Sequence, residues 1–244
     1  MFVWFVFTLW IKSDLKFYLY KYLVVFFVLS SSISYGNDCS ILCGVAPGFK
    51  QMDPYTLLSP ANLIKDFPSI NNNGLVNVMI EIPAGRTDKW ELRKSDGALA
   101  WNIKKGKPRI VKYIGYPGNY GMIPQIMLPK ELGGDGNALD AIVLGPPLKR
   151  GSFVKARLIG ILKLLDNGEQ DDKLITVNPE SPFIKVMSIK ELDKSFNGIT
   201  DILETWFINY KGPCKIQSKD FGDNKEAKLI LQKANTHFLN RNKN

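Results

Sequence analysis

The hydrophobic period of this chain changes once, and that change narrows the folds open to it. From Val76, apolar residues take every second position: Val76, Val78, Ile80 and Ile82 alternate with Asn77, Met79 and Glu81. Such alternation marks a strand with one apolar face. Strand-like pieces follow at Lys89–Arg93, Arg109–Tyr113, Leu139–Leu144, Phe153–Leu165 and Leu174–Val177, separated by turns rich in Gly, Pro and Asp. Short strands in this number predict a small barrel or sandwich. After residue 185 the spacing lengthens to three and four. Ser188-Ile189-Lys190-Glu191 reads as a capping box opening a short helix. Ile199, Ile202, Leu203, Trp206, Phe207 and Tyr210 form an amphipathic stripe, and Ala227, Ile230, Leu231, Ala234 and Phe238 outline another helix. The expectation is an α+β domain, mainly β, with C-terminal helices packed against a barrel.

Residues 1–36 read differently. Lys12, Lys16 and Lys21 precede the apolar run Leu23 to Leu29, and a small-residue exit, Ser30 to Gly36, follows. This is the pattern of a secretory signal peptide, or of a transient anchor. The run is too short for a bilayer, which needs roughly 20 apolar residues. Export to a periplasm, an organelle lumen or the outside is therefore expected if the segment is used, and a cytoplasmic protein otherwise. In an oxidising compartment any two of Cys39, Cys43 and Cys214 can pair. Three cysteines and the single His237, with no CxxC, fall short of a zinc site. Residues 37–74 hold Pro47, Pro54, Pro60 and Pro68 and predict an irregular arm.

Two acidic turns carry the chemistry. Asp135-Gly136-Asn137-Ala138-Leu139-Asp140 precedes one apolar run, and Asp166-Asn167-Gly168-Glu169-Gln170-Asp171-Asp172-Lys173 links two others. Acidic turns at the ends of neighbouring strands can meet in one cavity. Their mutual repulsion calls for a hard cation such as Mg²⁺, which takes carboxylates, waters and substrate phosphates. The net charge is +9, yet no dense Lys/Arg block marks a nucleic-acid patch. An anionic small molecule fits better. Glu81, on the polar face of its strand, adds a carboxylate. Lys89, the cluster Lys104, Lys105, Lys107 and Arg109, the tyrosines Tyr116 and Tyr120, and Tyr210-Lys211 offer donors for phosphate oxygens.

In order and spacing these blocks resemble the soluble, metal-dependent inorganic pyrophosphatases of the barrel type. The resemblance runs from about Val76 to Phe238, within a domain spanning 75–244. It is carried by Ile80-Glu81-Ile82-Pro83, Lys89-Trp90-Glu91, Lys105-Gly106-Lys107-Pro108-Arg109 and Asn119-Tyr120-Gly121, then by the two acidic turns and Tyr210-Lys211. It implies a five-stranded OB-type barrel with flanking helices, hydrolysis of pyrophosphate with several Mg²⁺ ions, and assembly into homo-oligomers. It implies Asp135, Asp140, Asp166, Asp171 and Glu81 as metal ligands. It implies Lys89, Arg109, Tyr120, Tyr210 and Lys211 as phosphate-binding groups, Lys173 as a support for the carboxylates, and Tyr116 as a lining residue.

One position departs from the family pattern. The signature Asp-x-Asp-Pro-x-Asp reads here with Asn137 at the centre and Ala138 for the proline. The central carboxylate of the family helps take a proton from the attacking water, which a neutral amide cannot do. The expectation is a pyrophosphatase slowed by the loss of a base, roughly 10²–10⁴-fold. The alternative is a silent relative that binds phosphate compounds or a partner. An OB-type nucleic-acid binder is disfavoured, because the acidic turns would repel a polyanion.

Overall fold

The computed structural model describes residues 44–126 and 138–241. The leader-like residues 1–36, Cys39, Cys43, Asp135 and Asn137 lie outside the described residues. The strands are β1 (Lys50–Asp53), β2 (Thr56–Leu58), β3 (Val76–Ile82), β4 (Trp90–Leu92), β5 (Leu99–Trp101), β6 (Ile103–Lys104), β7 (Lys107–Pro108), β8 (Asn119–Met122), β9 (Asp140–Leu144), β10 (Phe153–Asp166), β11 (Glu169–Gln170), β12 (Lys173–Val177) and β13 (Ile216–Gly222). The helices are α1 (Ile189–Ser195), α2 (Ile199–Asn209) and α3 (Asn224–Arg241).

Five strands close into a ring. β3 pairs with β8, β8 with β9, β9 with β12, β12 with β10, and β10 returns to β3. All these pairings are antiparallel except β9 with β12. Closure leaves no free edge to template aggregation. β10, at 14 residues, is long enough to serve four ladders: its start pairs with β3, its middle with β12, and its end with β13 and β11. This is the barrel that the family resemblance implies, and one of the two architectures, barrel or sandwich, that the strand pattern left open.

Alternate residues of the ring strands feed two apolar clusters, as the pleat requires. Ile142, Leu144, Ile175 and Val177 join Leu192 of α1 and Leu203, Trp206 and Phe207 of α2. Ala141, Val143 and Leu174 join Ala227, Leu231 and Ala234 of α3. Ser188 caps α1 as expected, its Oγ accepting from the Glu191 amide, while Glu191 Oε2 reaches past the cap residue to accept from the Met187 amide.

Three expectations change. β3 is buried along its whole length, Asn77 and Glu81 included. Its second face is covered by a four-stranded sheet, β1-β2-β5-β4, through Met79, Trp90 and Leu99. Two strands of that sheet come from the segment expected to be irregular, whose prolines flank the β1–β2 pairing rather than prevent it. Arg109–Tyr113 forms no strand; Ile110 makes one isolated bridge to Asp88. The chain then turns at Gly115, which packs so closely on Gly85 that a Cβ would lie 2.2 Å from its carbonyl oxygen.

Candidate active site

The parallel register of β9 and β12 sets Asp140 directly beside Lys173. Each is the first residue of its strand. Asp166 ends β10, which runs antiparallel to β12, so it emerges at the same end of the ring. Asn167-Gly168 turns the chain back into β11, with φ of 50° and 91° at its two central residues. Positive φ at both is the type I′ geometry that suits strand twist, and Asn-Gly meets it at low cost. Asp171 follows at the end of this hairpin. On β8, Tyr120 pairs with Ile142, which brings its ring diagonally over Asp140.

These elements enclose a cavity of about 190 Å³ lined by Lys89, Arg109, Tyr120, Asp140, Asp166, Glu169, Gln170, Asp171, Tyr210 and Lys211. Eight of the residues singled out from the sequence thus meet in one place. Among the remaining expected ligands, Glu81 stands beside the cavity rather than on its wall, and Asp135 and Asn137 lie outside the described residues. Glu169 and Gln170 were missed as individuals, although the acidic turn that carries them was not. Tyr116 does not line the cavity. It is 3% exposed and stacks behind Tyr120, with ring centroids 5.1 Å apart and Trp206 a further 4.4 Å from it. The lysines of the basic cluster, Lys104, Lys105 and Lys107, are exposed on the β6–β7 hairpin, and only Arg109 reaches the site.

The charges are arranged in opposition. Lys173, 2% exposed, donates from Nζ to Asp140 Oδ2 at 2.7 Å and also to Asp171 Oδ1. Burial opposes its charge, but the two carboxylates together outweigh burial and raise its pKa. Burial likewise pushes Asp140 up, and Lys173 and Lys89 more than reverse this, so its pKa is lowered. Burial wins at Asp171, whose pKa is raised. Tyr120 donates its hydroxyl to Asp140, and Lys89 Nζ lies 4.7 Å from the centre of the Tyr120 ring. Burial and the Asp140 charge hold the Tyr120 phenol neutral far above its usual range. Glu81 accepts from the Leu92 amide at 2.7 Å, and burial raises its pKa to about 7.

α2 delivers the last two groups. Trp206, anchored by its indole N–H on the Ile114 carbonyl at 3.0 Å, stacks on Tyr210 at 4.6 Å. Lys211 follows and pairs with Asp166 across the cavity. Asp172 faces the other way, where its Oδ1 accepts from the Leu164 amide and steadies the base of the hairpin.

Among the described residues no three carboxylates converge on one point. The oxygen donors are instead spread around the cavity, with cations facing them. That distribution suits Mg²⁺, which takes one or two carboxylates and fills its shell with waters and phosphate oxygens.

The family model described as inorganic pyrophosphatase matches residues 78–239. The inorganic pyrophosphatase of Neisseria meningitidis serogroup B is 33% identical over 178 residues, covering 68% of this chain and 90% of that protein. The mitochondrial inorganic pyrophosphatase of Saccharomyces cerevisiae is 34% identical over 157 residues. That match covers 57% of this chain, which spans about half, 51%, of the yeast protein. Among solved structures, the type I inorganic pyrophosphatase of Toxoplasma gondii superposes with a TM-score of 0.70 at 24% identity, over 76% of this chain and 93% of that one. A Trypanosoma cruzi vacuolar soluble pyrophosphatase, truncated of its N-terminal domain and in complex with PPi, gives 0.71 at 24% identity over 77% and 81%. At these identities the two structures support the fold.

Proposed function

The chain belongs to the inorganic pyrophosphatase family, and from that premise we propose that it hydrolyses pyrophosphate to two phosphates in the cavity between Asp140 and Lys211. One observation carries the reading. Carboxylates (Asp140, Asp166, Asp171) and phosphate-binding donors (Lys89, Arg109, Tyr120, Tyr210, Lys211) line the same polar cavity. A single anion would be repelled by the acids, and a single cation by the bases. A phosphoanhydride carried with divalent metal satisfies both.

Asp140, Asp166 and Asp171, with Asp135 and Glu81, would hold Mg²⁺. Bound there, the ions supply charge neutralisation and water activation. The protein groups orient and bind. Lys89, Arg109, Tyr210 and Lys211 take the phosphate oxygens and stabilise negative charge developing on the leaving phosphate. Lys211 must exchange its Asp166 partner for phosphate, so its bond to substrate forms at the expense of an existing ion pair. Tyr120, kept neutral, fixes Asp140 through its hydroxyl. Asn137 can orient a water but not take its proton, so turnover is slowed roughly 10²–10⁴-fold relative to a carboxylate there. Self-association belongs to the same reading. So does export, supported by the basic flank and apolar run of residues 1–36.

The test is phosphate release from pyrophosphate with Mg²⁺. Wild type should release phosphate, Asp140→Asn should lose at least about a hundredfold, and Asn137→Asp should gain. Silence from both wild type and Asn137→Asp would leave the phosphate-binding relative as the better account.

A further inference from the structure

Behind the phosphate-binding side of the cavity lies an ion pair that the proposed reaction does not use. Asp88 and Arg150 are 5% and 6% exposed, and the Arg150 guanidinium donates to Asp88 Oδ2. Arg86 Nε donates to the other Asp88 oxygen at 2.8 Å. A buried ion pair is a poor source of stability, because the cost of desolvating both charges rivals their attraction; apolar residues of similar volume often do as well. What such a pair does supply is direction. The contacts of the Arg150 guanidinium all lead toward residues of the site.

There are three such routes. Arg150 Nε donates to the Glu81 carbonyl oxygen at 2.9 Å. Its Asp88 partner immediately precedes Lys89, whose amide in turn donates to the Arg109 carbonyl at 3.0 Å. The guanidinium also lies 4.6 Å from the centre of the Trp90 ring. Trp90 stacks on Trp101 at 5.6 Å, and the Trp101 indole N–H donates to that same Arg109 carbonyl at 2.9 Å. Among the described residues the Trp90 indole nitrogen is buried without a hydrogen-bond partner, and its ring contacts hold it. The Arg150 backbone is itself tied down, its amide to Gly44 O and its carbonyl to the Ala46 amide.

We propose that Asp88 and Arg150 are positioning residues: a buried clamp that sets the backbone from which Lys89 and Arg109 reach the pyrophosphate. This rests on the hydrolase reading above. Neither residue touches substrate. Their effect should therefore appear in binding of the diphosphate, and also in kcat because Lys89 and Arg109 stabilise the leaving phosphate; a displacement of about 1 Å costs up to about a hundredfold.

The experiment compares Arg150→Met, Arg150→Lys and Asp88→Asn with Leu231→Ala. Leu231 lies in the apolar cluster under α3, none of whose residues lines the cavity. Each variant is measured for thermal stability, for KM and kcat with Mg²⁺ and pyrophosphate, and for equilibrium binding of methylenediphosphonate, which cannot be hydrolysed. Arg150→Met should raise KM and weaken diphosphonate binding about tenfold, and lower kcat as well. Arg150→Lys keeps the charge but gives up the fork, and should fall between Arg150→Met and wild type. Asp88→Asn, which preserves shape and decides the matter if Arg150→Met does not fold, should show the same rise in KM and loss of diphosphonate binding. Leu231→Ala should lower the melting temperature and leave KM alone. The proposal is overturned if wild type is active and the clamp variants keep its KM, or if Leu231→Ala raises KM as they do. An inactive wild type would instead overturn the hydrolase reading, and diphosphonate binding would then judge the clamp by itself.

Discussion

Lys173 and Glu81 are both buried beside Asp140, and their contrast shows what a partner does. The ammonium has two carboxylates within hydrogen-bonding reach and keeps its charge. Glu81 is 4% exposed, with one backbone amide on its carboxylate and Lys89 as a more distant cation, and its pKa rises from 4.5 to about 7. The sign of the consequence follows from proton binding. Between pH 4.5 and about 7 the folded protein holds a proton on Glu81 that the unfolded chain has released. Stability therefore falls as pH rises through that window, and the whole loss is present above it. In EDTA, Glu81→Gln should leave urea stability near pH 4.5 almost unchanged and raise it at pH 8, by up to about 3 kcal/mol. Equal stability of the two proteins at pH 8 would contradict the assignment. At this scale the sequence was informative where chemistry is scarce. The acidic turns stood out by spacing, and the family resemblance picked Asp140, Asp166, Asp171 and Lys173 from them. The burial of Lys173 was not legible, because a lysine after two aspartates resembles any solvated turn until the β9–β12 register buries it.

Elements were legible where their pattern is local. The Ser188 cap, the α2 stripe and the strands β9, β10 and β12 could all be read from neighbouring residues. What could not be read is which faces would be covered, since that depends on segments far apart in the chain. Glu81 looked solvent-facing because its alternation is real; the β1-β2-β5-β4 sheet, invisible to a local window, buries it. Arg109–Tyr113 had strand composition but only one bridge to pair through. The β3–β8 ladder offers the sharpest test of element packing. A Cβ on Gly121 would lie 2.0 Å from the Met79 carbonyl oxygen, a distance that neither backbone can relieve without leaving the sheet. Gly121→Ala should cost at least about 3 kcal/mol, read as a lowered denaturation midpoint. It should also reduce activity, since Tyr120 is its neighbour. A variant as stable as wild type would mean that the two strands are not so closely apposed.

Across the whole molecule, the site is a set of charges held against their own repulsion, so ligands and stability are linked. An ion that binds the folded cavity and not the unfolded chain stabilises the fold by mass action, about 2.7 kcal/mol at a hundred times its dissociation constant. Adding Mg²⁺ should raise the melting temperature and EDTA should reverse the rise. Asp140→Asn should remove most of the Mg²⁺ response, in a fold of lower stability because buried Lys173 loses one of its two carboxylates. A wild-type melting temperature indifferent to Mg²⁺ would argue against metal at these carboxylates. The ring of strands could be anticipated from the resemblance to a known family, but not from periodicity, which does not say that β10 returns to β3. That return has a kinetic side. Met79 meets Phe153 directly, and loop-closure entropy must be met before such distant contacts reward it. Asp140, Lys173 and Asp166 are gathered by the β9–β12 and β10–β12 ladders, and the cavity around them closes with the ring. Refolding should therefore recover helical signal early and phosphate-binding capacity late, with the waiting time set by one long strand finding its first partner.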